Sequence, residues 1–234
     1  MVVVTEDSGK DGSATVTALV KKLLKQLAPS LRTNEVVIRD AGSAAKRAMR
    51  GHDWKSSRLP HRRELVNELA TRLVTGDLVV LHYDGDIAWS KRPKPSSHDE
   101  AVAKLIDEVN LRVTQSGKPM VGAILALVPH YSVEAWLYLN HDAVRSLPLT
   151  EQERARAVAW LRANQTVGGY DHIHKPKDVC PLADKHNLAL AKNAWPADKA
   201  AERSPSWRQT VARWSDSREL RAHLTGKTPP TTTP

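Results

Sequence analysis

The chain has 234 residues, 41% of them hydrophobic, enough to bury a substantial core, and it has no run of the roughly 20 apolar residues a membrane span needs. With no basic-then-apolar leader and a single cysteine, Cys180, the expectation is a cytoplasmic protein with no membrane partner, no internal disulfide and no multi-cysteine zinc centre. Lys plus Arg number 35 against 26 Asp plus Glu, a formal net charge of +9, which is the sign expected of a protein that meets phosphate backbones.

Met1 to Thr5 is an apolar, β-branched run that stops at Glu6, and the Asp7–Gly12 stretch that follows has turn composition. It reads as a buried first strand. Ser13 is placed to cap a helix in which Val16, Leu19, Val20, Leu23, Leu24 and Leu27 recur at helical spacing until Pro29. Glu35 to Arg39 is short and β-branched, a second strand. Between Arg39 and Arg63 lie eight basic residues against two acidic ones, read as a basic loop. Lys46, Arg47, Arg50, Lys55, Arg58, Arg62 and Arg63 are its candidate phosphate contacts, and Trp54 its candidate for stacking on a nucleotide.

Arg62 to Val74 resumes the helical pattern and Gly76 ends it; Leu78 to Tyr83 is a third strand. A Pro- and Ser-rich loop leads to a helix near Asp99 to Gln115, then a fourth strand, Val121 to Val128, and a short helix within Ser132 to Leu139. Alternation of strands with helices of a dozen or so residues predicts an α/β fold, a mostly parallel four-stranded sheet with helices on both faces. The expected organisation is a sheet domain over 1–140, a helical C-terminal extension over 141–224 and a polar, proline-rich disordered tail over 225–234. In the extension, Glu151 to Ala163, Ala183 to Ala194 and Ser206 to Leu224 read as helices.

The strand Leu78–Tyr83 delivers two carboxylates two residues apart, Asp84 and Asp86, around Gly85. Hard, negatively charged oxygens of this kind suit Mg2+, or Mn2+ in its place. Glu6 lies at the end of another apolar strand, and adjacent positions in the sheet would bring it toward Asp84 and Asp86. Carboxylates gathered in this way need a bound metal or basic neighbours. His130 and Ser132 lie at the end of the fourth strand as further site candidates, Ser132 serving equally well as a helix cap; His82, within an apolar strand, reads as a packed, hydrogen-bonded residue.

Glu6 after the first strand and Asp84-x-Asp86 after the third resemble the Toprim (topoisomerase-primase) domain, and Ser132-Val133-Glu134-Ala135-Trp136-Leu137 resembles a region of Toprim nucleases related to the overcoming-lysogenization-defect (OLD) family and of small stand-alone bacterial relatives. That resemblance covers about residues 2–136. It implies a Mg2+-dependent nuclease cleaving nucleic-acid phosphodiesters, in anti-phage defence, with Glu6, Asp84, Asp86 and Glu134 as metal ligands. It further implies a catalytic lysine, for which Lys175, Lys177 and Lys185 are candidates and Lys177 is taken forward. Lys10 stands where those nucleases place an acidic residue, which leaves one metal or two open. Candidate partners are nucleic acid, an operon-encoded ATPase or other defence component, and a second copy of the chain. The alternative is a nucleic-acid- or partner-binding module of the same fold without turnover. A haloacid-dehalogenase-like phosphohydrolase is disfavoured because Asp84 follows a full αβ unit and position 88 is Ala, and a sugar-nucleotide transferase gains little from the basic segment.

Overall fold

The computed structural model describes residues 1–6, 11–32, 36–56, 58–85, 97–193 and 195–226. Four strands, β1 (Val2–Thr5), β2 (Arg39–Asp40), β3 (Leu78–His82) and β4 (Ala123–Leu127), form an all-parallel sheet in the order β2-β1-β3-β4. The fold is therefore α/β, as the alternation of strand and helix patterns requires. β1 and β3 are neighbours, with Thr5 opposite His82 and His82 opposite Leu127, so the chain leaves β1, β3 and β4 at one edge of the sheet.

Side chains alternate across the sheet with period two, and each parity meets a different layer. Val2, Val4, Val79 and Leu81 pack under α2 (Ser43–Arg50), α3 (Pro60–Val74) and α4 (Ser97–Gln115). Val3, Leu78, Val80, Leu125 and Leu127 pack under α1 (Gly12–Leu27) and the helices that follow β4. Those are α5 (Glu134–Leu137), α6 (His141–Arg145), α7 (Glu151–Asn164), α8 (Pro176–Val179), α9 (Asn187–Lys192), α10 (Ala197–Arg203), α11 (Pro205–Asp216) and α12 (Arg218–Leu224). The expected extension therefore shares one core with the sheet: Leu161, Leu190, Trp207, Trp214 and Leu220 join Leu19 and Leu23 of α1 in it. Residues 227–234, most of the expected tail, lie outside the described residues.

Three local expectations are corrected. Helix α1 begins at Gly12, and the hydroxyl of Ser13 donates to Asp40 rather than capping it. The second strand is two residues long, held where Arg39 N–H donates to Met1 O (3.0 Å) and Ala41 N–H to Val3 O (3.0 Å); Val36 to Ile38 form no strand, and Glu35 lies outside the described residues. The basic segment is largely helical. In α2 the apolar residues Ala45, Ala48 and Met49 are buried at helical spacing, an apolar stripe too short to register beside the charges.

Close approach fixes one glycine. Val121 and Gly122 N–H groups both donate to Leu73 O (3.0 and 2.8 Å), and a Cβ on Gly122 would lie 2.1 Å from Asp77 O. Only glycine lets the chain enter β4 against the end of α3. Among the described residues no helix is long and apolar enough to cross a membrane.

Candidate functional site

The site grows out of the carboxyl ends of β1, β3 and β4, the edge at which parallel α/β sheets bind ligands. Glu6 follows β1; its N–H donates to His82 O (3.3 Å), and its Oε1 accepts from the Asp84 N–H. Asp84 stands two residues past β3. Its Oδ1 is 3.6 Å from His82 Nε2, and its backbone oxygen is 2.8 Å from His98 Nδ1. His82 is packed inside the sheet with Nδ1 2.8 Å from Thr5 Oγ1, so the residue read as a core histidine is one, and its other ring nitrogen lies beside the Asp84 carboxylate. The expected convergence of Glu6 and Asp84 follows from the pairing of β1 with β3.

Glu134 opens α5 and is only 6% exposed; Asn187 Nδ2, at the start of α9, donates to its Oε1 (2.8 Å). Glu6, Asp84 and Glu134 line one cavity of about 730 Å³ with Lys177, Asp184, Lys185 and Asn187 on one side and Arg50, His52, Lys55 and His98 on the other. Burial lowers the pKa of Lys177, but Glu134, Asp84, Asp184 and Asp178 outweigh it, so the net shift is upward and the ammonium stays charged. Asp86 lies outside the described residues. Among the described residues, no group of three or more His, Cys, Asp or Glu side chains stands close enough to hold a metal ion.

The remaining candidates separate. Lys175, exposed with left-handed backbone (φ 48°), immediately precedes α8 and is not among the cavity-lining residues; neither are His130 and Ser132, both buried at the end of β4. Ser132 does not cap α5, whose N-cap is Val133 with no side-chain bond. Of the basic segment, Arg50 and Lys55 reach the cavity. Lys46 pairs with Asp40 (2.9 Å), Arg47 stands 3.8 Å from Glu64, and Arg58 and Arg63 are exposed elsewhere. Two assignments are corrected. Arg62 is 2% exposed, held by Glu108 (3.0 and 3.1 Å) and donating to Trp54 O, so it cannot reach a phosphate. Trp54 is 0% exposed, its ring 5.6 Å from Tyr83 and 5.4 Å from His98, so it cannot stack on a nucleotide.

Sequence reasoning missed His52, His98, Asp184 and Asn187. The polar run Asp184-Lys185-His186-Asn187 between Pro181 and an apolar segment was a usable signal, whereas nothing in the sequence marked His98. No family model, curated protein or solved structure matches this chain.

Proposed function

We propose that this protein is a Mg2+-dependent nuclease that hydrolyses phosphodiester bonds of nucleic acid at the cavity lined by Glu6, Asp84 and Glu134. The observation that supports this is their convergence: three carboxylates from three separate stretches of chain meet in one cavity beside Lys177 and Lys185. The donor set is all oxygen and anionic, which fits a hard cation such as Mg2+ or Mn2+. Because the described residues alone do not assemble a three-ligand group, Asp86 is the further ligand this reading requires. Such an ion supplies charge stabilisation to phosphoryl oxygens and makes water more acidic.

The chain's own residues do the rest. Asn187 holds the Glu134 carboxylate by one oxygen, His98 meets the Asp84 backbone oxygen, and His82 stands beside the Asp84 carboxylate. Lys177, kept protonated by the surrounding carboxylates, presents positive charge to a non-bridging or leaving oxygen. In the reaction, the oxygen of water forms a bond to phosphorus as the bond to the leaving oxygen breaks; the leaving oxygen takes a proton, giving a phosphate monoester and a free hydroxyl. A role in anti-phage defence, with an operon-encoded ATPase or similar component, is proposed from the Toprim resemblance alone.

The test is incubation of purified protein with labelled single-stranded and duplex DNA and RNA, with Mg2+ or Mn2+. Cleavage is expected, falling by about two orders of magnitude or more in Asp84→Ala, with the fold intact by circular dichroism. No cleavage of any substrate, with nucleic-acid affinity unchanged in Asp84→Ala, defeats the proposal. The other reading is a binding module of the same fold without turnover. Binding without cutting, weakening steeply with salt, marks that module.

A further inference from the structure

One wall of the cavity is basic in a way the carboxylate centre does not explain. Helix α2 ends at Gly51, and the chain passes through His52 in left-handed backbone (φ 58°) into a 3-10 turn over Asp53–Lys55. A non-glycine residue stays in that conformation only where its surroundings over-determine it. Here they do. Trp54 plugs the turn into the core, its ring against Tyr83 and His98, and its carbonyl accepts from Arg62, which Glu108 holds in place. Tyr83 directly precedes Asp84, and His98 contacts the Asp84 backbone oxygen (2.8 Å). The turn that carries Arg50, His52 and Lys55 is thus fixed to the same strand end that presents Asp84.

Two other charges of the basic segment are neutralised by carboxylates, Lys46 by Asp40 and Arg62 by Glu108, while Arg58 and Arg63 are exposed outside the cavity. Arg50 and Lys55 line the cavity, and among the described residues neither has a carboxylate within ion-pair distance. On the opposite wall, Lys177 lies in the field of Glu134, Asp84, Asp184 and Asp178.

We infer that Arg50, His52 and Lys55 form a phosphate-binding subsite that grips the phosphate next to the scissile one, and that the substrate is a single polynucleotide strand lying between the two walls. This rests on the nuclease reading for the position of the scissile phosphate. The carboxylates are recessed within the cavity: Glu134 is buried, and one oxygen each of Glu6 (Oε2) and Asp84 (Oδ1) is out of contact with solvent. A lone strand can bend its backbone into such a cavity, while paired strands hold their phosphates on the rim of a stiff helix. Cationic grooves that track one backbone are the usual solution for single-strand binding.

The test measures binding, with Ca2+ in place of Mg2+, by fluorescence anisotropy of a labelled single-stranded oligonucleotide and of the same sequence as a duplex. Wild type is expected to prefer the single strand. The double variant Arg50→Ala/Lys55→Ala should lose about tenfold in single-strand affinity, and its salt dependence should fall by about 1.4 in log–log slope, two contacts at about 0.7 each. Arg58→Ala/Arg63→Ala, which removes the same charge outside the cavity, should change both much less. Equal losses in the two double variants, tighter binding of the duplex, or no oligonucleotide binding at all would overturn the subsite. The two readings separate cleanly. Cleavage that needs Asp84 but ignores Arg50 and Lys55 leaves the nuclease standing without the subsite. Binding that needs Arg50 and Lys55, with no cleavage in any metal, keeps the subsite and removes the nuclease.

Discussion

The two faces of the sheet each supply one wall of the cavity, and they do so by different means. On the face covered by α2, α3 and α4, a single aromatic side chain, Trp54, and one buried guanidinium, Arg62, pin a short turn against the strand end. On the face covered by α1 and the helices after β4, the wall of Lys177, Lys185 and Asn187 sits on short helices that depend on distant packing. There the buried carboxylate of Asp171 accepts from Ser204 Oγ (2.8 Å), Ser206 N–H (2.9 Å) and Ser206 Oγ (2.8 Å), and Trp136 Nε1 donates in turn to Ser206 Oγ (2.7 Å). One face carries a local anchor, and the other a network that joins Asp171 and α5 to the start of α11. The strand ends position the carboxylates; the layers above them decide how those carboxylates are electrically balanced.

The largest break in that comparison should come from Trp54→Ala. Emptying a fully buried indole site costs about 3–5 kcal/mol, read as a lower denaturation midpoint. Any folded fraction should also show weaker oligonucleotide binding, because the turn carrying Arg50 and Lys55 loses its anchor. Asp171→Ala strikes the other face. It leaves buried donors on Ser204 and Ser206 without their acceptor, a loss of about 2–3 kcal/mol, and Asp171→Asn, which keeps one acceptor oxygen, should lose less. If Trp54→Ala and Asp171→Ala impair oligonucleotide binding equally, the walls are not independent.

The smallest effect is a pH dependence confined to the second face. His141 in α6, His186 before α9 and His223 in α12 are all held below the ordinary imidazole value by burial. The unfolded chain, with imidazoles near pKa 6.5, therefore takes up protons before the folded one does. Their contribution to stability is complete above about pH 6.5 and is lost as the pH falls below it. Thermal midpoints measured between pH 7 and 5.5 should decline, and His141→Gln should flatten part of that slope. A slope unchanged by His141→Gln would take His141 out of the account.

Much of the fold was legible because apolar periodicity is a local property. The β-branched runs at Val2–Thr5 and Leu78–His82 and the helical stripe from Val16 to Leu24 each announce their element without reference to the rest of the chain. Glu6 and Asp84 were legible for a related reason, since an acid that ends an apolar strand is placed at a sheet edge by the strand itself. The basic segment was misread where charge masked a short apolar stripe, as in α2, and where a side chain's fate depended on its depth. Arg62 and Arg63 are adjacent in sequence, yet one is buried against Glu108 and the other faces solvent.

The sequence by itself thus determined the class of fold, the strand ends and the acidic chemistry placed there, because each follows from residue type at a fixed spacing along one element. Only the tertiary structure decided that β1 lies beside β3, that Glu134 is held by Asn187 fifty-three residues away, that Trp54 is an anchor and not a stacking platform, and that Arg50, Lys55 and Lys177 face one cavity. Those outcomes depend on how separate elements pack and on which charges find partners at close range, and neither is written in the periodicity of any single segment.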